Sequence, residues 1–206
     1  MNNLERFYKE QNTITGFSKA YFSYLSGLLS KLDENDIKDF LAVLEETRRS
    51  GRTIFVAGNG GSASTASHMG TDFGCAGMKP KSKEAPFRTQ PLTDHISMIT
   101  AAGNDYGYEY IFTKQLDVHY RNGDVLIVIS ASGNSPNVVE AAKWVREKGG
   151  KVLGLLGFDG GKLNDLCGVT IVVKTPKGEY GPVEDTHLIL NHMFTAWMQY
   201  SFADRA

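Results

Sequence analysis

Two short segments of this chain have the composition of anion-binding loops. Gly58–Ser64 follows the apolar run Thr53–Ala57, and Ser130–Ser135 follows the run Asp124–Ile129. Each breaks into Gly, Ser and Asn and then opens a helix-forming stretch, roughly Ala63–Phe73 in the first case and from Pro136 in the second. At such a place the first backbone N–H groups of the helix lie free, and the positive end of its dipole adds to them. Glycine admits close approach of a ligand. Serine hydroxyls cap the helix and donate to phosphate oxygens. One loop of this kind reads as a well-capped turn. Two, at corresponding places after two strands, point to a bound phosphate.

The five histidines offer a second kind of chemistry. His68 and Asp72 are four residues apart on the helix after the first loop, so they share a face. They could hold a divalent metal or act as an acid–base pair, though spacing alone is equally served by a surface ion pair, the simpler reading. Glu184, His187 and His192 fall at the start of, or within, the last helical stretch. Glu184 and His192 are eight apart, about 12 Å along a regular helix. They can share one metal only if Glu184 lies at a bent helix start. His95 and His119 have no evident partner and read as structural.

Neither loop is a standard nucleotide motif. Gly58-Asn59-Gly60-Gly61-Ser62-Ala63 matches GxGxxG only loosely, with no acidic residue at a strand end about 20 residues on. No glycine loop is followed by GKS or GKT. A nucleotide cofactor is therefore not expected.

These residues need a scaffold. Apolar runs at Thr53–Ala57, Asp124–Ile129, Val152–Leu156 and Val169–Lys174 alternate with helical stretches, which predicts a parallel sheet covered on both faces. Phe87–Thr93 is a candidate fifth strand, demoted by Pro91 to an edge or a loop. With the common strand order 2-1-3-4-5, the two loops flank the point where strand order reverses. Residues 1–50 read as two helices. The first carries Phe17, Tyr21, Tyr24, Leu25, Leu28 and Leu32; the second is capped by Asp33, with Ile37, Phe40, Leu41 and Leu44 inward. The last helix is expected over Glu184–Ser201, with Leu190, Phe194, Trp197 and Met198 on one face. Gly74–Pro86, with Lys79, Lys81 and Lys83, reads as a mobile loop whose charges are solvated.

The 206 residues suit one α/β domain, read as a helical pair over 1–50 and an α/β core with a C-terminal helix over 51–206. A formal net charge of −1 creates no field that would draw nucleic acid or an anionic membrane. Cys75 and Cys167 form no CxxC pair, which fits a reducing cytoplasm. The stretch Met1–Arg6 lacks the apolar core of a signal peptide, so none is expected, and no apolar run reaches the length expected of a membrane span.

Four motifs, in order and spacing, resemble the sugar isomerase (SIS) domain, and most closely its phosphoheptose isomerase branch. They are Gly58-Asn59-Gly60-Gly61-Ser62, Gly103-Asn104-Asp105-Tyr106-Gly107, Ser130 through Val138, and Gly157 through Lys162. The resemblance implies a homotetramer with active sites between subunits. It implies conversion of sedoheptulose 7-phosphate to glycero-manno-heptose 7-phosphate, an early step toward lipopolysaccharide heptose. It places Asn59, Gly60, Gly61, Ser62, Ser130, Ser132 and Ser135 in the phosphosugar site, with Asn104 and Asp105 nearby. It puts zinc or another divalent metal on His68, Asp72, Glu184 and His192. Where the family usually has a glutamate and a glutamine, this chain has Asp72 and Glu184, and a related sugar is an open possibility.

Aldose–ketose exchange moves a proton between adjacent carbons through an enediol, and needs a base, an acid and stabilisation of negative charge. Asp72 and His192 are the acid–base candidates, with Glu184 as an alternate base. The competing class is a non-catalytic SIS protein that senses phosphosugars or binds the bacterial replication initiator. Retention of His68, Asp72, Glu184 and His192 together argues for chemistry.

Overall fold

In the computed structural model, residues 1–76 and 85–203 are described. The core is a five-stranded sheet of β1 (Thr53–Gly58), β2 (Arg88–Pro91), β3 (Val125–Ser130), β4 (Lys151–Gly157) and β5 (Val169–Val173). All pairings are parallel and the order is β2-β1-β3-β4-β5. Both the strand order and the edge position of the Pro91 strand match expectation. Buried Asp124 fixes where two central strands begin: its carboxylate accepts from Thr53 N and from Arg121 N, both at 2.8 Å.

Side chains alternate across the sheet. Ile54, Val56, Ile127 and Ile129 face α3 (Glu34–Arg49), α4 (Gly61–Ala76) and α9 (Tyr180–Ala203), packing on Phe40, Leu44, Met69, Phe73, Leu190, Phe194 and Met198. Phe55, Ala57, Leu126 and Val128 face the opposite layer, where Leu116 of α6 (Thr113–His119) and Val138, Ala142 and Val145 of α7 (Pro136–Glu147) cover them. α5 (Ile96–Asp105) and the short α8 (Leu163–Leu166) complete the described α-helices after β1, and a 3₁₀ turn forms over Tyr108–Tyr110.

The N-terminal region departs from expectation. Three helices form where two were predicted: α1 (Asn3–Gln11), α2 (Ile14–Leu29) and α3. α1 escapes a periodicity search because only Phe7 is buried along it. Its ends are nonetheless marked, by Asn2 accepting from Glu5 N and by Asn12 turning left-handed at φ 46°. α1 and α2 are anchored on the start of α9. Buried Glu179 accepts from Asn3 N (2.6 Å) and Tyr24 Oη (2.6 Å), and Tyr21 donates to Asp185 (2.5 Å).

Two boundaries also move. α4 runs past Phe73 to Ala76, so the loop predicted over Gly74–Pro86 does not begin at Gly74, and its part at 77–84, with the lysines, lies outside the described residues. α9 begins at Tyr180, four residues before Glu184, because Pro182 in the first turn has no N–H to leave unpaired. On α9, Leu190, Phe194 and Met198 are buried as predicted, but Trp197 is 61% exposed. Among the described residues, no helix is long and apolar enough to cross a membrane.

Candidate functional site

The β1 and β3 loops converge at the C-terminal edge of the sheet. They enclose a cavity of about 240 Å³ lined by Asn59, Gly60, Gly61, Ser62, Ile129, Ser130, Ala131, Ser132, Ser135, Tyr180 and Glu184. Four residues from each loop thus meet, at the reversal point of strand order where doubly wound sheets bind ligands. Helices α4 and α7 both start here.

The serines are not all used in the way their loop composition suggests. α4 begins at Gly61, so Ser62 sits inside the first turn instead of capping it. Ser130 Oγ accepts from Gly133 N (3.1 Å), and Ser132 Oγ accepts from Asn134 N (3.3 Å). Their hydroxyl hydrogens remain to donate outward. Ser135 occupies the N-cap position of α7 and makes no capping bond with its side chain. Asn134 braces this loop against the one after β4, donating to Ser132 O (2.7 Å) and accepting from Lys162 N (3.2 Å). Gly133, at φ +63°, is pressed against the Gly160 carbonyl, where a Cβ would clash.

Glu184 faces this cavity. Its carboxylate lies against Gly61 so closely that a Cβ there would overlap it. Burial first, and the neighbouring Asp185 carboxylate second, raise its pKa.

His68, Asp72 and His192 form a second cluster, with one ligand atom from each lying within 4.8 Å of the others. The two Nε2 atoms are 3.4 Å apart, and Asp72 Oδ2 is 3.4 Å from His68 Nε2 and 3.8 Å from His192 Nε2. Zinc with ligands at about 2.0–2.2 Å has tetrahedral edges of roughly 3.3–3.6 Å. Two imidazole nitrogens and a carboxylate oxygen at this spacing therefore fit one face of a divalent-cation site. Asp72 Oδ2 also accepts from Asn191 Nδ2 at 2.7 Å. The regular helix running through Glu184 keeps it apart from this cluster, about two turns before His192. The bent helix start that would have united all four is not formed.

The remaining predicted residues divide cleanly. His187 is fully buried and its Nε2 meets Leu156 O at 3.1 Å. Burial pushes its pKa down to about 4, so it is a neutral core residue. His95 Nδ1 accepts from Met98 N at the start of α5, a structural role as expected. Asn104 and Asp105 end α5, exposed and hydrogen-bonded to each other at 2.8 Å, and do not line the cavity.

Three site residues went unnoticed in the sequence. Tyr180 lines the cavity. Asn191 holds Asp72. Asn137 pairs with Asn59 through both carboxamides. Asn137 and Tyr180 stand close to the motifs. Nothing local marks Asn191.

The SIS domain family model matches residues 20–157. The chain is 37% identical over 157 residues to a phosphoheptose isomerase of Rhodospirillum rubrum, covering 76% of this chain and 81% of that one. It is 34% identical over 202 residues to phosphoheptose isomerase 1 of Campylobacter jejuni, covering 98% and 100%. The structure of a phosphoheptose isomerase from Neisseria gonorrhoeae superposes with a TM-score of 0.80 at 30% identity, covering 91% of this chain and all of that one.

Proposed function

The chain belongs to the SIS-domain family, on its phosphoheptose isomerase branch, and from that premise we propose that the cavity between the β1 and β3 loops holds the substrate's phosphate. The protein is an aldose–ketose isomerase that interconverts sedoheptulose 7-phosphate and glycero-manno-heptose 7-phosphate. The non-catalytic alternative is not favoured: the relatives are isomerases, and the polar cluster that chemistry requires is assembled.

The carrying observation is that two helices run from one site to the other. Ser62 and His68 on α4 are six residues apart, and Glu184 and His192 on α9 are eight apart, or about 9 and 12 Å along their axes. α4 and α9 pack together in the same layer. A seven-carbon chain with a terminal phosphate, built from C–C bonds of about 1.5 Å, spans roughly this distance. The phosphate rests on the free N–H groups and serine hydroxyls of the loops. That grip fixes the position of C1 and C2 near the histidines.

Asp72 and His192 carry the proton between C1 and C2, one as base and the other as acid toward the sugar oxygen. Asn191 orients the Asp72 carboxylate from behind. His68, Asp72 and His192 would hold zinc or another divalent cation, which when bound supplies electrostatic stabilisation of the developing enediolate. Glu184 faces the ligand from the cavity wall.

The whole chain is read as one SIS domain that acts as a homotetramer in the cytoplasm. Exposed Phe22 on α2 and Trp197 and Tyr200 on α9 support the assembly, since bulky apolar side chains of this kind are commonly covered by partners. The direct test of the function is turnover of sedoheptulose 7-phosphate by the metal-loaded protein. Absence of product would overturn the reading.

A further inference from the structure

Asn59 and Asn137 are 78 residues apart, one in the β1 loop and one in the first turn of α7. Their carboxamides face each other and exchange two hydrogen bonds. Asn59 Nδ2 donates to Asn137 Oδ1 at 2.8 Å, and Asn137 Nδ2 donates to Asn59 Oδ1 at 2.9 Å. A face-to-face amide pair could be drawn with both groups flipped. Here the direction is set from outside. Val138 N, which can only donate, meets Asn137 Oδ1 at 3.0 Å, and Tyr108 Oη donates to Asn59 Oδ1 at 3.1 Å. Both carbonyl oxygens are saturated, so the second Nδ2 hydrogen of Asn59 is left for the ligand. Asn137 is 1% exposed, whereas Asn59 lines the cavity. Asn137 therefore acts on the ligand only through Asn59.

We infer that Asn137 is a positioning residue for the isomerisation. It locks the Asn59 carboxamide as a hydrogen-bond donor to the phosphosugar and ties the two anion-binding loops into one unit. The inference rests on the phosphosugar reading of the cavity. Freed of Asn137, Asn59 can rotate and present its carbonyl oxygen to the ligand, where it repels the phosphate and sugar oxygens.

The test is a double-mutant cycle on steady-state turnover of sedoheptulose 7-phosphate, with Asn59→Ala, Asn137→Ala and both together. Asn137→Ala should raise KM about tenfold, the worth of one hydrogen bond to a charged group, with a much smaller change in kcat. The double variant should be no worse than Asn59→Ala alone. If Asn137→Ala does not fold, Asn137→Asp replaces it. The carboxylate has the same size and still accepts from Val138 N and Asn59 Nδ2, but cannot donate to Asn59 Oδ1. The same non-additivity is expected. Losses that multiply in the double variant, or an unchanged KM in the single one, would overturn the role of Asn137 and leave the isomerase intact. A wild-type protein with no turnover would overturn both.

Discussion

Asn191, fully buried on α9, donates a 2.7 Å hydrogen bond to Oδ2 of Asp72, the same oxygen that faces His68 and His192. The amide thus aims the oxygen proposed to hold the metal, from a buried position on α9. Outer hydrogen bonds of this kind typically contribute about 10–100-fold to metal affinity or activity. Asn191→Leu should therefore lower affinity for zinc by that range, read by competition with a chelator. Its stability should change little, because Asn191 Oδ1 is already buried without a partner and leucine removes that orphan.

Asp72→Asn keeps the size of the side chain but not its charge. Turnover should fall about 10²–10⁴-fold while the melting temperature stays near that of the wild type. Metal content must be measured on the same samples, since loss of the ion would imitate loss of a base. Full activity with native metal content would remove Asp72 from the mechanism.

Replacing Ser130 and Ser132 together with Ala should weaken phosphosugar binding by tenfold or more. Each charge-assisted hydrogen bond contributes about 1.5–3 kcal/mol, and the Gly133 and Asn134 N–H groups also lose their acceptors. Calorimetry showing unchanged affinity would place the phosphate elsewhere.

Stability should fall as the solution is acidified from pH 6.5 toward 4. His187 has a folded pKa of about 4 against an ordinary 6.5, because burial disfavours the imidazolium. Above 6.5 both folded and unfolded chains carry it neutral, and its contribution is complete. Between 6.5 and 4 only the unfolded chain takes up the proton, so stability drops, by roughly 3 kcal/mol at most. Urea unfolding at pH 7 and pH 5 should show this slope, and His187→Leu should flatten it. Equal slopes in the two proteins would show that other groups dominate.

Light scattering at micromolar concentration should find a tetramer, and Trp197→Glu, at an exposed position on α9, should shift it toward smaller species without loss of helical signal. A monomeric wild type would contradict the assembly and an active site shared between subunits.

Much of this architecture is local information. The sheet could be read in advance because each strand is a short apolar run ended by Gly, Ser or Asn, and because parallel crossovers admit few orders. The cavity between the β1 and β3 loops was visible for the same reason, since its two walls are contiguous segments at strand ends. Pro91 announced the edge strand. α1 was hidden because a helix with one buried side chain leaves no periodic trace, and its anchors are the distant Glu179 and Tyr24.

What the chain alone could not decide was the grouping of side chains across long sequence separations. Helical spacing put His68 beside Asp72, but only the packing of α4 against α9 brings His192 to them from more than a hundred residues away. The start of α9 at Tyr180 then placed Glu184 on the wall of the cavity between the β1 and β3 loops, two turns from that cluster, and no residue type at position 184 reveals where its helix begins. Asn59 and Asn137, and Asn191 and Asp72, meet for the same reason. A hydrogen bond needs its partners within about 3 Å, and for residues this far apart in sequence that proximity is set by how helices and strands pack, a property of the whole core.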